Sequence, residues 1–120
     1  MPLRRAVPYE NIAQKPAFPV GEAALRAAIQ HRVRYPRAAQ GQEAPVDLAV
    51  ECIVEPNGPL TVLHTSEVPT ACEGLGYEQE AVRVVRTLPP FVPGRRAGQP
   101  VAATDTVPVA FRQAARHHKQ

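Results

Sequence analysis

The stretch from Val46 to Val68 does most to limit what this chain can fold into. It reads as two strands, VDLAVECIVE and LTVLHTSEV, joined by the turn PNGP. In the first strand Val46, Leu48, Val50, Cys52 and Val54 fall on one side. Asp47, Glu51 and Glu55 fall on the other, with Ala49 and Ile53 between them. Alternation with a period of two marks a strand with one buried face. Asn57-Gly58 are the two residues that best tolerate positive φ, so the chain is expected to reverse there into a hairpin, stiffened by Pro56 and Pro59. A lone hairpin is marginal in water and needs further strands or a helix on its apolar face.

The rest of the chain offers both. Its 120 residues suit one domain with a modest core, and with no Trp, three Phe and three Tyr that core is expected to be aliphatic. No run approaches the roughly 18 apolar residues of a membrane span. The N-terminal MPLRRAVPYENIAQKP has two arginines and no apolar segment behind them, unlike a secretory signal. As a complete protein the chain is expected in the cytoplasm; as the excised end of a longer one it is free of that expectation. The net charge of +3 gathers in Arg4, Arg5, Arg95, Arg96 and the tail, without the concentrated basic face and interleaved aromatics of a nucleic-acid binder. A solvated basic surface is the expectation, and no nucleic acid is expected as partner.

Fourteen prolines punctuate the elements. Residues 1–19 read as an extended, poorly ordered Pro-rich lead-in, residues 20–112 as the folded domain and residues 113–120 as a basic tail. A helix is expected through GEAALRAAIQHRV, with Leu25, Ala28, Ile29 and Val33 as its apolar stripe and Glu22 at the positive end of its dipole. Tyr35-Pro36 ends it, because a residue before proline avoids the α region. The second strand is irregular, and a bulge near Thr61-Val62 is expected to turn both Leu60 and Leu63 inward. A second helix follows in YEQEAVRVVRTL, with Ala81, Val85 and Leu88 inward beside Tyr77 or Val84, and Glu80 one turn from Arg83. After the connector PPFVPGRRAGQP, VAATDTVPVAF alternates Val101, Ala103, Val107, Val109 and Phe111 onto one face, interrupted by Asp105.

The predicted fold is α+β, two helices on one face of a three-stranded antiparallel sheet, in the order α-β-β-α-β. Pro108 lies inside the last strand. It has no N–H for a ladder, so this strand is expected at a sheet edge, where free backbone groups invite a partner chain to add a strand.

No phosphate loop, nucleophile elbow or paired carboxylate cleft is present, so no catalytic residue and no cofactor is expected. His31, His64, His117 and His118 have no ligand spacing, and no metal site is expected. Cys52 and Cys72 either form a disulfide in an oxidising compartment or, as the default reading, remain two separate thiols. Asp105 is either a satisfied polar residue at a strand edge or a contact for an incoming peptide.

The segments FPVGEAAL, RYPRAA, VEPNGPL, EQEAVRVVRTLPPFVPGRRAGQPV and VPVAF occur here in the order they take in the C-terminal domain of TonB. From about Phe18 to Phe111 the chain resembles that family, and its Pro-Gly-basic connector is more similar to TonB than to TolA. Val20 stands where these domains usually carry a first glycine, and Thr65, Ser66 and Asp105 stand where apolar or aromatic residues are common. The resemblance implies a periplasmic module of an energy-transducing transport system, held in the family by an inner-membrane helix that couples to motor proteins and a Pro-rich linker. Such a module grips outer-membrane receptors by pairing its last strand with their TonB box. It implies a partner-binding set of Thr104, Asp105, Thr106, Val107, Val109 and Phe111 in the pairing strand, with Arg34, Tyr35 and Pro36 near the receptor surface. Alternatives are a freestanding domain whose edge pairs with itself in a homodimer, separable by molecular size at several concentrations, and a small basic nucleic-acid binder, separable by salt-dependent retention.

Overall fold

The computed structural model describes residues 6–7, 12–41 and 43–113. The rest of the lead-in, Gln42 of the loop before the hairpin, and the basic tail beyond Gln113 with His117 and His118 lie outside the described residues. The elements are α1 (Glu22–Arg32), β1 (Val46–Val54), β2 (Leu60–Thr65), α2 (Tyr77–Arg86), β3 (Gly94–Arg96), β4 (Gln99–Val101) and β5 (Ala103–Phe111), with 3-10 turns at Arg37–Ala39 and Thr70–Cys72. An antiparallel three-stranded sheet in the order β2-β1-β5 carries both helices, and β3 and β4 form a separate two-stranded hairpin.

The core follows the alternation of the two long strands. Val46, Leu48, Val50, Cys52 and Val54 of β1 are buried, as are Val107, Val109 and Phe111 of β5, and Leu25, Ile29, Ala81, Val84 and Val85 of the helices close over them. Burying each such side chain contributes about 1.5–3 kcal/mol before entropy is counted. An aromatic cluster at one end adds directional packing: the Tyr77 and Phe111 rings meet edge-on at 4.9 Å, and Tyr35 lies 5.9 Å from Phe111. Both cysteines are buried and free. Desolvation, with the nearby charges of Asp105 and Glu51, pushes the Cys52 thiol up to about 12, so it behaves as a small apolar core residue.

Several local expectations are corrected. The hairpin turn is not a two-residue loop with positive φ at both Asn57 and Gly58: only Gly58 has positive φ. The Gly58 N–H donates to the Glu55 carbonyl and the Glu55 N–H to the Pro59 carbonyl, the pattern of a turn closed by a glycine bulge. In β2 the bulge falls at Leu63, which β1 skips between its partners Val62 and His64. Leu63 is therefore left out of the closed core and is 48% exposed, contrary to the inward placement expected of it. The last strand breaks at Ala102, and the connector holds a hairpin that sequence reading missed, with Arg96 opposite Gln99 across Ala97-Gly98. Positive φ at both turn residues matches the strand twist there.

The lead-in is extended but tied down within residues 12–17. The Gln14 and Arg95 backbones exchange two hydrogen bonds, Ala17 and Val92 two more, and Ile12 is buried. At its end, Val20 adopts φ +63 with its side chain 90% exposed. A β-branched residue pays steric strain of about 1–2 kcal/mol in that region, and here no packing offsets it. Val20→Gly is expected to raise unfolding stability by up to about 1 kcal/mol after the greater freedom of glycine in the unfolded chain is deducted. Chemical denaturation checks this, and a loss of stability would show that the Val20 side chain does contribute contacts.

Candidate strand-addition site

Among the described strands of the sheet β5 pairs only with β1, and the hydrogen-bond pattern shows which of its groups face outward. The Ala49 N–H donates to Ser66 Oγ, and the Ala49 carbonyl accepts from the Ser66 N–H, so both polar groups of Ala49 turn away from β5. Pro108 is paired with Ala49. That pair is therefore of the non-hydrogen-bonded kind, and the Pro108 nitrogen and carbonyl point out from the sheet. By alternation the backbone groups of Thr104, Thr106 and Ala110 point outward too, whereas those of Asp105, Val107, Val109 and Phe111 face β1.

This sorts the residues expected to bind a partner. Val107, Val109 and Phe111 are at most 1% exposed and their main-chain groups serve β1. They shape the strand and are not presented at its outer edge. Thr104, Thr106, Pro108 and Ala110 supply the edge. Several of their groups are already engaged, contrary to the expectation of a bare edge. The Thr104 N–H donates to the Val7 carbonyl at 3.0 Å, and the Val7 N–H to the Ala102 carbonyl at 2.8 Å. Gln30 Nε2 of α1 donates to the Ala110 carbonyl. The Thr106 N–H donates to Oδ1 of Asp105, and the Thr106 hydroxyl to Glu51. Among the described residues, the Thr106 and Pro108 carbonyls and the Ala110 N–H keep no such partner.

Asp105 thus acts first on its own strand. Its side chain lies on the helix-covered face and lines a hollow of about 430 Å³ beside the edge, with Pro16, Phe18, Leu25 and Phe91 around it. Burial, opposed by the Thr106 N–H and reinforced by the charges of Glu22 and Glu51, pushes its carboxyl up to about 6. Because the folded value lies above the ordinary carboxylate value, the fold disfavours the ionised form. The cost is absent below about pH 4, where folded and unfolded chains both hold the proton, and it grows as pH rises through about 6. Asp105→Asn, which keeps the acceptor for Thr106, is expected to stabilise the protein on the order of 1 kcal/mol near pH 8, allowing for solvent screening of a half-buried group, and to give no gain near pH 4. Denaturation at both pH values checks the sign.

Arg34, Tyr35 and Pro36 stand at the far end of β5. The Tyr35 hydroxyl donates to the Ala44 carbonyl at 2.7 Å while its ring joins Phe111 and Tyr77. Pro36 lies under Gly76, whose added Cβ would come within 3.2 Å of the proline ring. The Arg34 N–H donates to Glu80, which also forms a two-pronged ion pair with Arg83 and is held below the usual carboxylate range by those contacts despite its desolvation. The Arg34 side chain is exposed. Tyr35 and Pro36 are therefore structural, and Arg34 is the one of the three with a side chain presented to solvent. Thr104 lies at the opposite end of a strand that rises about 3.3 Å per residue, so only a partner running the whole edge meets both groups.

Sequence reasoning missed Val7 and Gln30. Val7 precedes a proline, which favours an extended backbone, but nothing in its spacing names Ala103 as its neighbour. On the opposite edge, Val62, Leu63, Val82 and Arg86 line an open groove of about 740 Å³ between β2 and α2. No group of His, Cys, Asp and Glu suited to a metal ion occurs among the described residues, and none of their helices is long and apolar enough to cross a membrane. No model of a known protein family matches the chain, and no curated protein is significantly similar to it.

Proposed function

We propose that this chain is a protein-binding module that takes an extended peptide by strand addition along β5, in the manner that its resemblance to TonB C-terminal domains implies. The observation that carries the reading is the outward-facing Pro108. It fits the place of β5 at the sheet edge, where among the described residues the carbonyls of Thr106 and Pro108 have no hydrogen-bond partner. Backbone hydrogen bonds supply affinity in this mode, and the hollow beside Asp105 and the exposed Arg34 tune which side chains are accepted. The ligand class is the TonB box of an outer-membrane receptor, with energy-coupled transport as the process served. The reading places the domain in the periplasm as part of a longer protein whose membrane anchor meets the motor proteins. No chemistry is assigned to it, and no cofactor or metal takes part.

The test is a titration of isotope-labelled protein with a peptide copied from a receptor's TonB box, followed by backbone amide NMR. Saturable shifts are expected along Thr104 to Ala110, with smaller ones at Arg34 and Tyr35. A folded monomer whose β5 amides do not respond would sink the reading for this ligand class.

A further inference from the structure

We infer that the segment Ala6–Val7 is the resident occupant of one end of the β5 edge, and that a partner strand gains the full edge by displacing it. The inference rests on the strand-addition reading and adds regulation to the same site. Val7 sits in parallel pairing with Ala103, its N–H on the Ala102 carbonyl and its carbonyl on the Thr104 N–H. These are the bonds an added strand would make there, so Val7 and a partner compete for the same two groups.

Val7 is suited to the position by its own chemistry. It is β-branched and stands before a proline, and both features favour extended backbone without help from the sheet. Residues 12–17 are anchored a short way along the chain. Ile12 is buried, and a Cβ on Gly94 would come within 3.2 Å of both the Ile12 side chain and the Gln14 carbonyl. Gln14 is bonded to Arg95 in both directions. With residues 12–17 fixed against residues 92–95, Val7 is tethered near Ala103 and its effective concentration at the edge is high.

The contact is also weak enough to yield. Among the described residues it consists of two backbone hydrogen bonds, and Val7 is only half-buried. The remainder of the edge is guarded differently. Asp105 covers the Thr106 N–H, Pro108 has none to offer, and Gln30 covers the Ala110 carbonyl. A strand that first bonds the Thr106 and Pro108 carbonyls, which no described residue engages, can then extend along β5 and replace Val7. Closure of this kind protects a monomer from sticking edge to edge before its partner arrives.

Val7→Pro in the full chain removes the Val7 N–H while leaving everything from Ile12 onward intact. Two readouts separate this inference from the strand-addition reading. Without peptide, the Thr104 amide is expected to be protected from hydrogen exchange in the wild type and to exchange at least about tenfold faster in the variant. With the receptor-derived peptide, the variant is expected to bind about tenfold tighter, because no resident strand has to leave. Equal peptide affinity for both proteins, or unchanged Thr104 exchange, would overturn the inference while the strand-addition reading stands. Faster Thr104 exchange with no peptide response in either protein would overturn both. Concentration-dependent dimerisation of the variant alone would support closure of the edge by Val7, with a second copy in the partner's place.

Discussion

Truncating Phe111 to alanine is expected to remove about 4 kcal/mol of unfolding stability, a large share of what a domain of this size holds. The side chain is 1% exposed and contacts two tyrosine rings, with centroids 4.9 Å from Tyr77 and 5.9 Å from Tyr35. Its loss forfeits the transfer free energy of a benzyl group, about 0.5–1.5 kcal/mol for each well-oriented ring pair, and leaves a void that the surrounding sheet cannot readily fill. Collapse is hindered because Phe111 is paired with Val46 on β1 and the Tyr35 hydroxyl is held by the Ala44 carbonyl. Urea denaturation reads the effect, and a loss under about 1.5 kcal/mol would mean that the three rings do not form a closed cluster. The same cluster bears on tests of the proposed strand addition. Because Tyr35 is held there, weaker peptide binding by a Tyr35 variant would report on strand position unless stability is measured alongside. Arg34 carries no such burden and is the cleaner probe of direct contact.

The main architecture was legible where burial is set by alternation or helical spacing. Val46 to Val54 alternates cleanly because one face is covered by both helices, and Leu25, Ile29, Ala81 and Val85 recur at the spacing a helix needs to cover it. Pro108 placed β5 at the edge from chemistry alone, since its missing donor is tolerated only where it faces outward. What was not legible depended on contacts between residues distant in sequence. Leu63 is as hydrophobic as Leu60, and only its bulged register against β1 keeps it out of the closed core. The pairing of Gln14 with Arg95 and of Val7 with Ala103 leaves no periodic trace, because each is an isolated bridge without an amphipathic run. The candidate site was legible as a strand, but reading it as a strand of side chains put Val107, Val109 and Phe111 at the contact. Pleat geometry gives those positions to the core and the edge to their neighbours. An edge is read from which way N–H and C=O point, and sequence alone does not carry that until one pairing is fixed.

Gly58 shows how one backbone atom joins the hairpin to the rest of the fold, and Gly58→Ala is expected to cost about 3 kcal/mol. Two effects add. The glycine has φ +108, where an L side chain meets its own backbone. An added Cβ would also stand 2.8 Å from the Phe91 carbonyl oxygen and 3.0 Å from Pro90 Cβ. Neither neighbour is the free end of a flexible side chain. The Phe91 N–H donates to the Gly58 carbonyl, and the Phe91 ring meets Phe18 edge-on at 5.4 Å, so relief of the clash moves the connector, the lead-in and the hairpin together. Asn57→Ala in the same turn is the control: Asn57 is exposed and lacks positive φ, so it should cost under about 1 kcal/mol. Denaturation midpoints of the two variants decide the matter. Comparable small losses would mean the connector does not press on the turn, and Gly58 would then matter only for local conformation. A large loss confined to Gly58 would show that the turn locates residues 90–92, and through the Val92–Ala17 bridge helps to hold the chain that positions Val7 at the edge of β5.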